Sequence, residues 1–152
     1  MRRFRFRLER FLQLRRYDER KWEMKLAEAT GRCLKLGHDI EERERSIAQT
    51  ILDRTQGVGP LDLSTYKTGE MYMQRLSLEI TALEQELEAE EARREEIQNG
   101  YLEASRRRKV LDRLKEKREE SYRREQRLEE FKGLDDINTS RTGRLSTRPE
   151  LP

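Results

Sequence analysis

Apolar and small residues recur in the first part of the chain at alternating steps of four and three positions. The series begins at Trp22 and reaches Ile47, with one polar member, Arg43. This is the a/d spacing of a heptad repeat. It predicts a helix over about residues 5–54 that buries a narrow seam. The predicted seam residues of this helix are Trp22, Leu26, Ala29, Cys33, Leu36, Ile40 and Ile47.

A second heptad series, from Leu76 to Leu111, keeps the same alternation without interruption. It predicts a second and longer helix, over about residues 64–132. Glu90, Arg94 and Arg108 stand at positions of this seam where apolar residues are expected, so the predicted core is interrupted there. The apolar seam residues of this helix are Leu76, Ile80, Leu83, Leu87, Ile97, Tyr101 and Leu111.

Two glycines and a proline lie close together within residues 55–63 and predict a turn between the helices, with Ser64 or Thr65 as the cap of the second helix. Gly133 is expected to end that helix, and a polar tail over residues 138–152 to be disordered. The predicted fold is all-α: a long antiparallel two-helix coiled-coil hairpin over residues 1–137, with the second helix overhanging and a disordered C-terminal tail.

The unequal lengths of the two helices predict an unpaired end. If the chain folds back near Gly59, Leu8 lies beside residues 108–111, and the second helix beyond Leu111 has no partner within the chain. Phe4 and Phe6 alternate with arginines, a period of two that does not suit a helix. We expect this short segment to dock against the overhanging helix or a partner. Anchoring at a membrane surface is the alternative.

Composition supports paired helices over a globular core. Charged residues make up 43% of the chain and hydrophobic residues 33%, too few to fill a large core. The net charge of +3 is small, but its distribution is uneven. Residues 1–25 and 106–118 each carry a net charge of +6, and residues 79–96 between them carry −6.

Candidate chemistry is sparse. Cys33 and His38 are the single cysteine and the single histidine, and five positions on a helix turn them away from each other. We therefore expect no catalytic, metal or cofactor site and no enzymatic activity. No apolar run is long enough to span a membrane, and we expect a cytoplasmic protein. The basic run at residues 106–109 lacks interleaved aromatic residues, so nucleic-acid binding is not expected.

Several ordered segments together resemble the flagellar FliJ family, a coiled-coil component of the flagellar type III export apparatus. Phe-x-Phe-x-Leu at residues 4–8 leads into Leu-x-Leu-Arg at 12–15, as at the start of family members. A glycine-containing turn follows near the middle. The segments at residues 72–76 and 110–118, and Leu-Asp-Asp at 134–136, are similar to later parts of the family.

The resemblance implies a non-enzymatic stalk that docks its helix-terminal end into the hexameric flagellar export ATPase and promotes its assembly and activity. It also implies contacts with the export gate membrane protein, with export chaperones and with an ATPase regulator. The alternatives are an equivalent stalk of an injectisome, a generic coiled-coil tether or adaptor, and a nucleic-acid-binding hairpin. The expected location is the inner face of the cell membrane at the flagellar base, without insertion into the membrane.

Two surfaces follow from this resemblance and from the unpaired helix end. The gate patch comprises Tyr72, Leu76 and Glu79. The ATPase-binding end comprises Arg5, Phe6, Leu14, Arg15, Leu114, Lys115, Arg118, Tyr122, Arg123 and Phe131.

Overall fold

Two α-helices account for almost all of the described chain. The computed structural model describes residues 3–57, 59–60 and 62–146, the last three of these by backbone alone. Helix α1 is Glu9–Gln56 and helix α2 is Leu63–Ser146. No strand occurs among these residues. The side chains of α1 meet those of α2 in opposite chain order, which confirms the all-α antiparallel hairpin.

The turn between the helices is built around one glycine and one carboxylate. Gly59 has φ 142°, a backbone conformation that residues with a Cβ rarely adopt. Asp62 caps α2: its two carboxylate oxygens accept hydrogen bonds from the Ser64 backbone N–H, at 3.1 Å, and from the Thr65 hydroxyl, at 3.3 Å. The predicted cap, Ser64 or Thr65, was therefore wrong, because both residues donate to a cap that precedes them.

The chain divides into two compact units, and the first to consider is Tyr17–Ser105. Its core is a narrow seam in which Ala29, Cys33, Ile40, Leu76 and Ala104 are buried. The other predicted seam residues of this unit are half-buried. They are Trp22, Leu26, Leu36, Ile47, Ile80, Leu83, Leu87, Ile97 and Tyr101.

Ion pairs fix the register of the two helices in this unit. Arg43 donates to Glu79 at 3.0 Å, and Arg32 to Glu90 at 3.1 Å. In the sequence, the position midway between the two partners is the same for both pairs and lies between Pro60 and Asp62. The chain therefore folds back about two positions later than the expected point near Gly59. The expected register was therefore wrong by that offset, because the turn continues to the cap at Asp62.

The second unit is formed by Met1–Arg16 and Arg106–Pro152. Here Lys115 contacts Glu9 at 2.8 Å, and the rings of Phe4 and Tyr122 lie 5.6 Å apart. The expectation that α2 has no partner beyond Leu111 was therefore wrong. Residues 3–6 are not helical. A non-helical chain can advance up to about 3.3 Å per residue, against about 1.5 Å in a helix. This segment therefore reaches farther along α2 than a helix of the same number of residues would.

Helix α2 continues past Gly133, where the sequence analysis placed its end. A single glycine costs a helix only about 1 kcal/mol, which does not stop it. The hydroxyl groups of Thr139 and Thr142 donate to backbone carbonyls four residues earlier, both at 2.6 Å. The predicted helix end near residue 132 is corrected to Ser146. Residues 138–146 of the predicted tail continue α2, and residues 147–152 lie outside the described part.

Candidate functional site

All ten residues predicted for the ATPase-binding end fall in the unit of Met1–Arg16 and Arg106–Pro152. Five of them are exposed: Arg5, Leu14, Arg118, Arg123 and Phe131. The other five are half-buried: Phe6, Arg15, Leu114, Lys115 and Tyr122. The end therefore offers both accessible cations and accessible apolar groups.

The N-terminal strap, defined here as residues 3–8, lies against α2. The Phe4 ring packs on Tyr122 at an interplanar angle of 46°, and the Tyr122 hydroxyl accepts a hydrogen bond from Gln126 at 3.1 Å. The strap and α2 together line a groove of about 730 Å³. Leu114, Arg118 and Tyr122, which the sequence predicted to bind the ATPase, lie in this groove. The expected docking of the segment on the overhanging helix is confirmed.

Two of the three cations that α2 contributes to the predicted ATPase-binding end already have carboxylate partners in the chain. Lys115 pairs with Glu9 at 2.8 Å, and Arg123 with Glu119 at 2.6 Å. Arg118 is exposed and has no ion pair among the described residues. The pair of exposed Arg123 with Glu119 contributes at most about 1 kcal/mol, so a partner's carboxylate can replace Glu119 at small cost.

The part of α2 beyond Gln126 carries large apolar side chains without cover. Leu128, Phe131, Leu134 and Ile137 are each more than half exposed. They recur every three residues, which spreads them over a broad face of the helix. Phe131 was among the predicted site residues, whereas Leu134 and Ile137 were not, because α2 was predicted to end at Gly133. Leu134 and Ile137 continue the three-residue spacing of Leu128 and Phe131, and this spacing could have identified them in the sequence.

Polar seam positions are occupied by charges with partners. Glu90, whose side chain is 12% exposed, accepts hydrogen bonds from Arg32 on α1 and from Arg93 on α2. Asp112 accepts from Arg16 on α1 at 3.1 Å and also pairs with Arg108. Two of the three interruptions in the second heptad series, Glu90 and Arg108, therefore form ion pairs, and the pair of Glu90 with Arg32 links the helices.

The predicted gate patch separates into an exposed and a packed part. Tyr72 is 41% exposed, whereas Leu76 is 5% exposed and belongs to the seam. Glu79 accepts hydrogen bonds from Arg43 at 3.0 Å and from Arg75 at 3.1 Å. Of the three, Tyr72 is the one whose side chain is available to a partner, and exposed Met71 lies beside it.

The pKa of Glu79 lies below the ordinary glutamate value. The main cause is the hydrogen bond from the Arg43 guanidinium, which stabilises the carboxylate. Partial desolvation opposes this effect, and Arg75 adds to it. Glu79 is therefore ionised at neutral pH and ties α1 to α2.

The hairpin tip contains an arginine that the heptad pattern did not single out. The Arg54 guanidinium lies 4.4 Å from the centre of the Tyr66 ring and donates to Glu70 at 3.2 Å. It also donates to the Tyr66 carbonyl at 3.0 Å. A Cβ on Gly69 would come within 2.9 Å of this guanidinium, so the glycine provides its space. These contacts help to close the tip, where Tyr66 remains 46% exposed.

The first turns of α1 bury Leu12 and leave its neighbour Phe11 exposed. Leu12 is fully buried, whereas Phe11, which continues the heptad rhythm upstream, is 59% exposed. The ion pairs of Glu9 and Arg16 with α2 fix which face of α1 turns inward here. Exposed Phe11 and Leu14 lie three positions apart and share one face of α1.

The single cysteine and the single histidine differ in their exposure. Cys33 is buried in the seam, and His38 is exposed. No group of three or more potential metal ligands occurs within residues 3–57, 59–60 and 62–146. Over the same residues, neither helix has a stretch apolar enough to cross a membrane.

Comparison with known proteins identifies the family. The model of the family described as "Flagellar FliJ protein" matches residues 4–145, which span both helices, the strap and the turn. A search of the curated proteins and a search of solved structures found no match. The family match covers nearly the whole chain and agrees with the segments that carry the resemblance in the sequence. The chain therefore belongs to the FliJ family of flagellar proteins.

Proposed function

We propose that this chain is the stalk that docks its ATPase-binding end into the hexameric flagellar export ATPase and promotes its assembly and activity. Membership of the FliJ family implies a component of the flagellar export apparatus, and we propose a non-enzymatic role in it. The observation that supports docking is the uncovered apolar face of α2 beyond Gln126. Apolar groups clustered on an unpaired helix favour a partner that covers them.

Energetics favour docking at this end. An isolated helix as short as the end of α2 is only marginally stable in water. Ion pairs such as Arg123–Glu119 stabilise the helix by a few tenths of a kcal/mol each. Covering Leu128 and Phe131 would remove apolar surface from water, which favours binding by about 25 cal/mol for each Å² buried. A ring that encloses this part of α2 would stabilise the helix and gain affinity from the same contact.

Further contacts complete the proposed role. Tyr72, exposed on α2, is the proposed contact with the export gate membrane protein. Export chaperones and the ATPase regulator are proposed as additional partners. These contacts would hold the protein at the inner face of the cell membrane, at the flagellar base.

Stimulation of the purified export ATPase tests the docking. The double change Leu128→Asp with Phe131→Asp should abolish stimulation, because carboxylates on this face oppose apolar contact with the ring. Leu34→Asp is the matched control, since Leu34 is 70% exposed on α1, and it should leave stimulation unchanged. Full stimulation by the double variant, with circular dichroism unchanged, would exclude docking through this face.

A further inference from the structure

The strap has two faces of opposite character. Arg3, Arg5 and Arg7 are exposed, whereas Phe4, Phe6 and Leu8 alternate with them and are half-buried against α2. Exposure therefore alternates along the strap, with the arginines on its solvent side and the apolar groups on the side that lines the groove. The strap therefore presents cations outward while its rings contribute the wall of the groove.

The groove has an apolar floor and a cationic rim. Phe4, Phe6 and Leu8 of the strap and Leu114 and Tyr122 of α2 form the floor. The rim carries four arginines and one carboxylate, a net charge of +3: Arg3, Arg5, Arg7, Arg118 and Glu125.

The rim arginines differ from most arginines along the seam. Arg16, Arg32, Arg43 and Arg54 each pair with a carboxylate on the opposite helix. None of the four rim arginines has an ion pair among the described residues. Four cations that line one groove without carboxylate partners repel one another, so the groove would attract an anionic ligand.

We infer that this groove receives an acidic amphipathic segment of a partner protein. Apolar side chains of that segment would lie on the floor, between the strap and α2, and its carboxylates would meet the rim arginines. Arginine favours such contacts because its planar guanidinium can bind a carboxylate with two parallel hydrogen bonds. The partner thus inserts a segment into this chain, in addition to enclosing the end of α2.

Other anionic ligands fit the groove less well. Insertion into a lipid surface needs apolar groups that point outward, and here the rings of Phe4 and Phe6 are turned toward α2. Single-stranded nucleic acid needs aromatic faces free for stacking, whereas the Phe4 ring is packed on Tyr122. A protein segment uses both the apolar floor and the charged rim.

This inference deepens the proposed function, because Arg5, Phe6, Leu114, Arg118 and Tyr122 belong to both the groove and the ATPase-binding end. It names the chemistry of the partner segment and the place where that segment binds. The groove and the uncovered face beyond Gln126 are nevertheless different surfaces with no residue in common.

Binding of a designed peptide to the full-length protein tests the groove. The probe is a fluorescent peptide of about 15 residues, with leucine at heptad a and d positions and glutamate at most others, a length at which a helix is marginal alone. A peptide with lysine in place of glutamate is the matched control. Fluorescence anisotropy should show binding of the acidic probe only, weakening as salt rises.

Charge reversal on the rim should weaken binding. Arg5→Glu with Arg118→Glu should raise the Kd at least about tenfold, because carboxylates would then face those of the probe. Arg10→Glu with Arg113→Glu changes the net charge equally at exposed positions that do not line the groove, and should change the Kd less than about threefold. Circular dichroism should remain unchanged in both.

Several outcomes would overturn the inference. They are equal binding of the lysine probe, equal weakening by both double variants, and binding to phosphatidylserine vesicles without binding of the acidic probe, which would assign the rim to a lipid surface. Leu128→Asp with Phe131→Asp separates this inference from the proposed function. That variant should bind the probe normally while failing to stimulate the ATPase. If the unaltered protein stimulates the ATPase normally but does not bind the probe, the inference about the groove is refuted and the proposed function is not.

Discussion

The indole ring of Trp22 on α1 occupies the space that a Cβ atom on Gly100 of α2 would need. Three ring atoms lie within 2.6–2.8 Å of that position. The Lys25 ammonium stands over the same ring, 4.7 Å from its centre. The largest side chain of the seam is therefore accommodated by a residue without a side chain on the facing helix.

Gly100→Ala should destabilise the protein. Alanine favours a helix over glycine by about 1 kcal/mol, but the clash with Trp22 forces a shift that costs about 1–3 kcal/mol. Gly31 is the matched control, because nothing lies within 4 Å of a Cβ there, and Gly31→Ala should stabilise by about 1 kcal/mol. Urea unfolding measures both. Adding Trp22→Leu should turn the effect of Gly100→Ala from unfavourable to favourable.

The bond between Arg43 and Glu79 should make stability depend on pH in the acid range. The folded protein lowers the pKa of Glu79, so the stabilisation is present above the ordinary glutamate pKa of about 4.3 and is lost as the pH falls through the lowered value. Thermal unfolding of the wild type and of Glu79→Gln should differ at pH 7 and converge in acid.

Glu84→Gln is the control for this pH dependence, since Glu84 is exposed on the same helix. Its melting temperature should follow that of the wild type throughout. A difference for Glu79→Gln that stays constant from neutral to acid pH would contradict the role of the carboxylate charge.

Leu83→Asp should destabilise the hairpin by at least about 2 kcal/mol, because it places a carboxylate in the half-buried seam. Leu78→Asp, five positions earlier on the same helix, is the control, because Leu78 is 72% exposed. Circular dichroism during thermal unfolding should show a lower melting temperature for the first variant and little change for the second. Equal effects would mean that the seam does not run through Leu83.

Arg94→Leu should stabilise the hairpin, in contrast to Leu83→Asp. Arg94 is half-buried at a seam position, and replacing its guanidinium by an apolar side chain extends the contact between the helices. We expect a gain of about 1 kcal/mol in the free energy of unfolding. Urea titration measures it, and a loss would show that the Arg94 charge stabilises the seam.

Tyr72→Ala should weaken binding to the export gate protein without loss of helicity or of ATPase stimulation. The tyrosine is 41% exposed and therefore accessible to a partner. Co-purification with the cytoplasmic part of the gate protein measures the effect, and Leu34→Ala on α1 is the control. Reduced helicity in Tyr72→Ala would instead assign the residue to the fold.

The fold was predictable because the heptad pattern contains the information that selects it. A seam of small and apolar residues spaced by three and four positions has one simple solution, two paired helices, and Gly59 and Pro60 interrupt the helical pattern between them. The register was less accessible. It depends on where the turn ends, and a single carboxylate, Asp62, decides this by capping α2.

The site was predictable in part. The cations and apolar groups of the ATPase-binding end were identified because the sequence predicted an unpaired end of α2 beside a basic N-terminus. The groove was not predictable, because helical periodicity describes the packing of one helix on another, whereas residues 3–6 of the strap are not helical. Likewise Leu12, and not Phe11, is buried, because ion pairs set the rotation of α1 at its start.

The contacts between the helices join residues that are progressively more distant in sequence. Arg54 and Glu70 are 16 positions apart, Arg43 and Glu79 are 36, Arg32 and Glu90 are 58, and Arg16 and Asp112 are 96. The entropy lost on closing a loop grows with its length, so folding that begins at the turn meets the smallest barrier and proceeds by zipping. The strap and its groove then assemble last and fray first. Amide hydrogen exchange should accordingly be fastest there, and a bound partner would slow it most in that region.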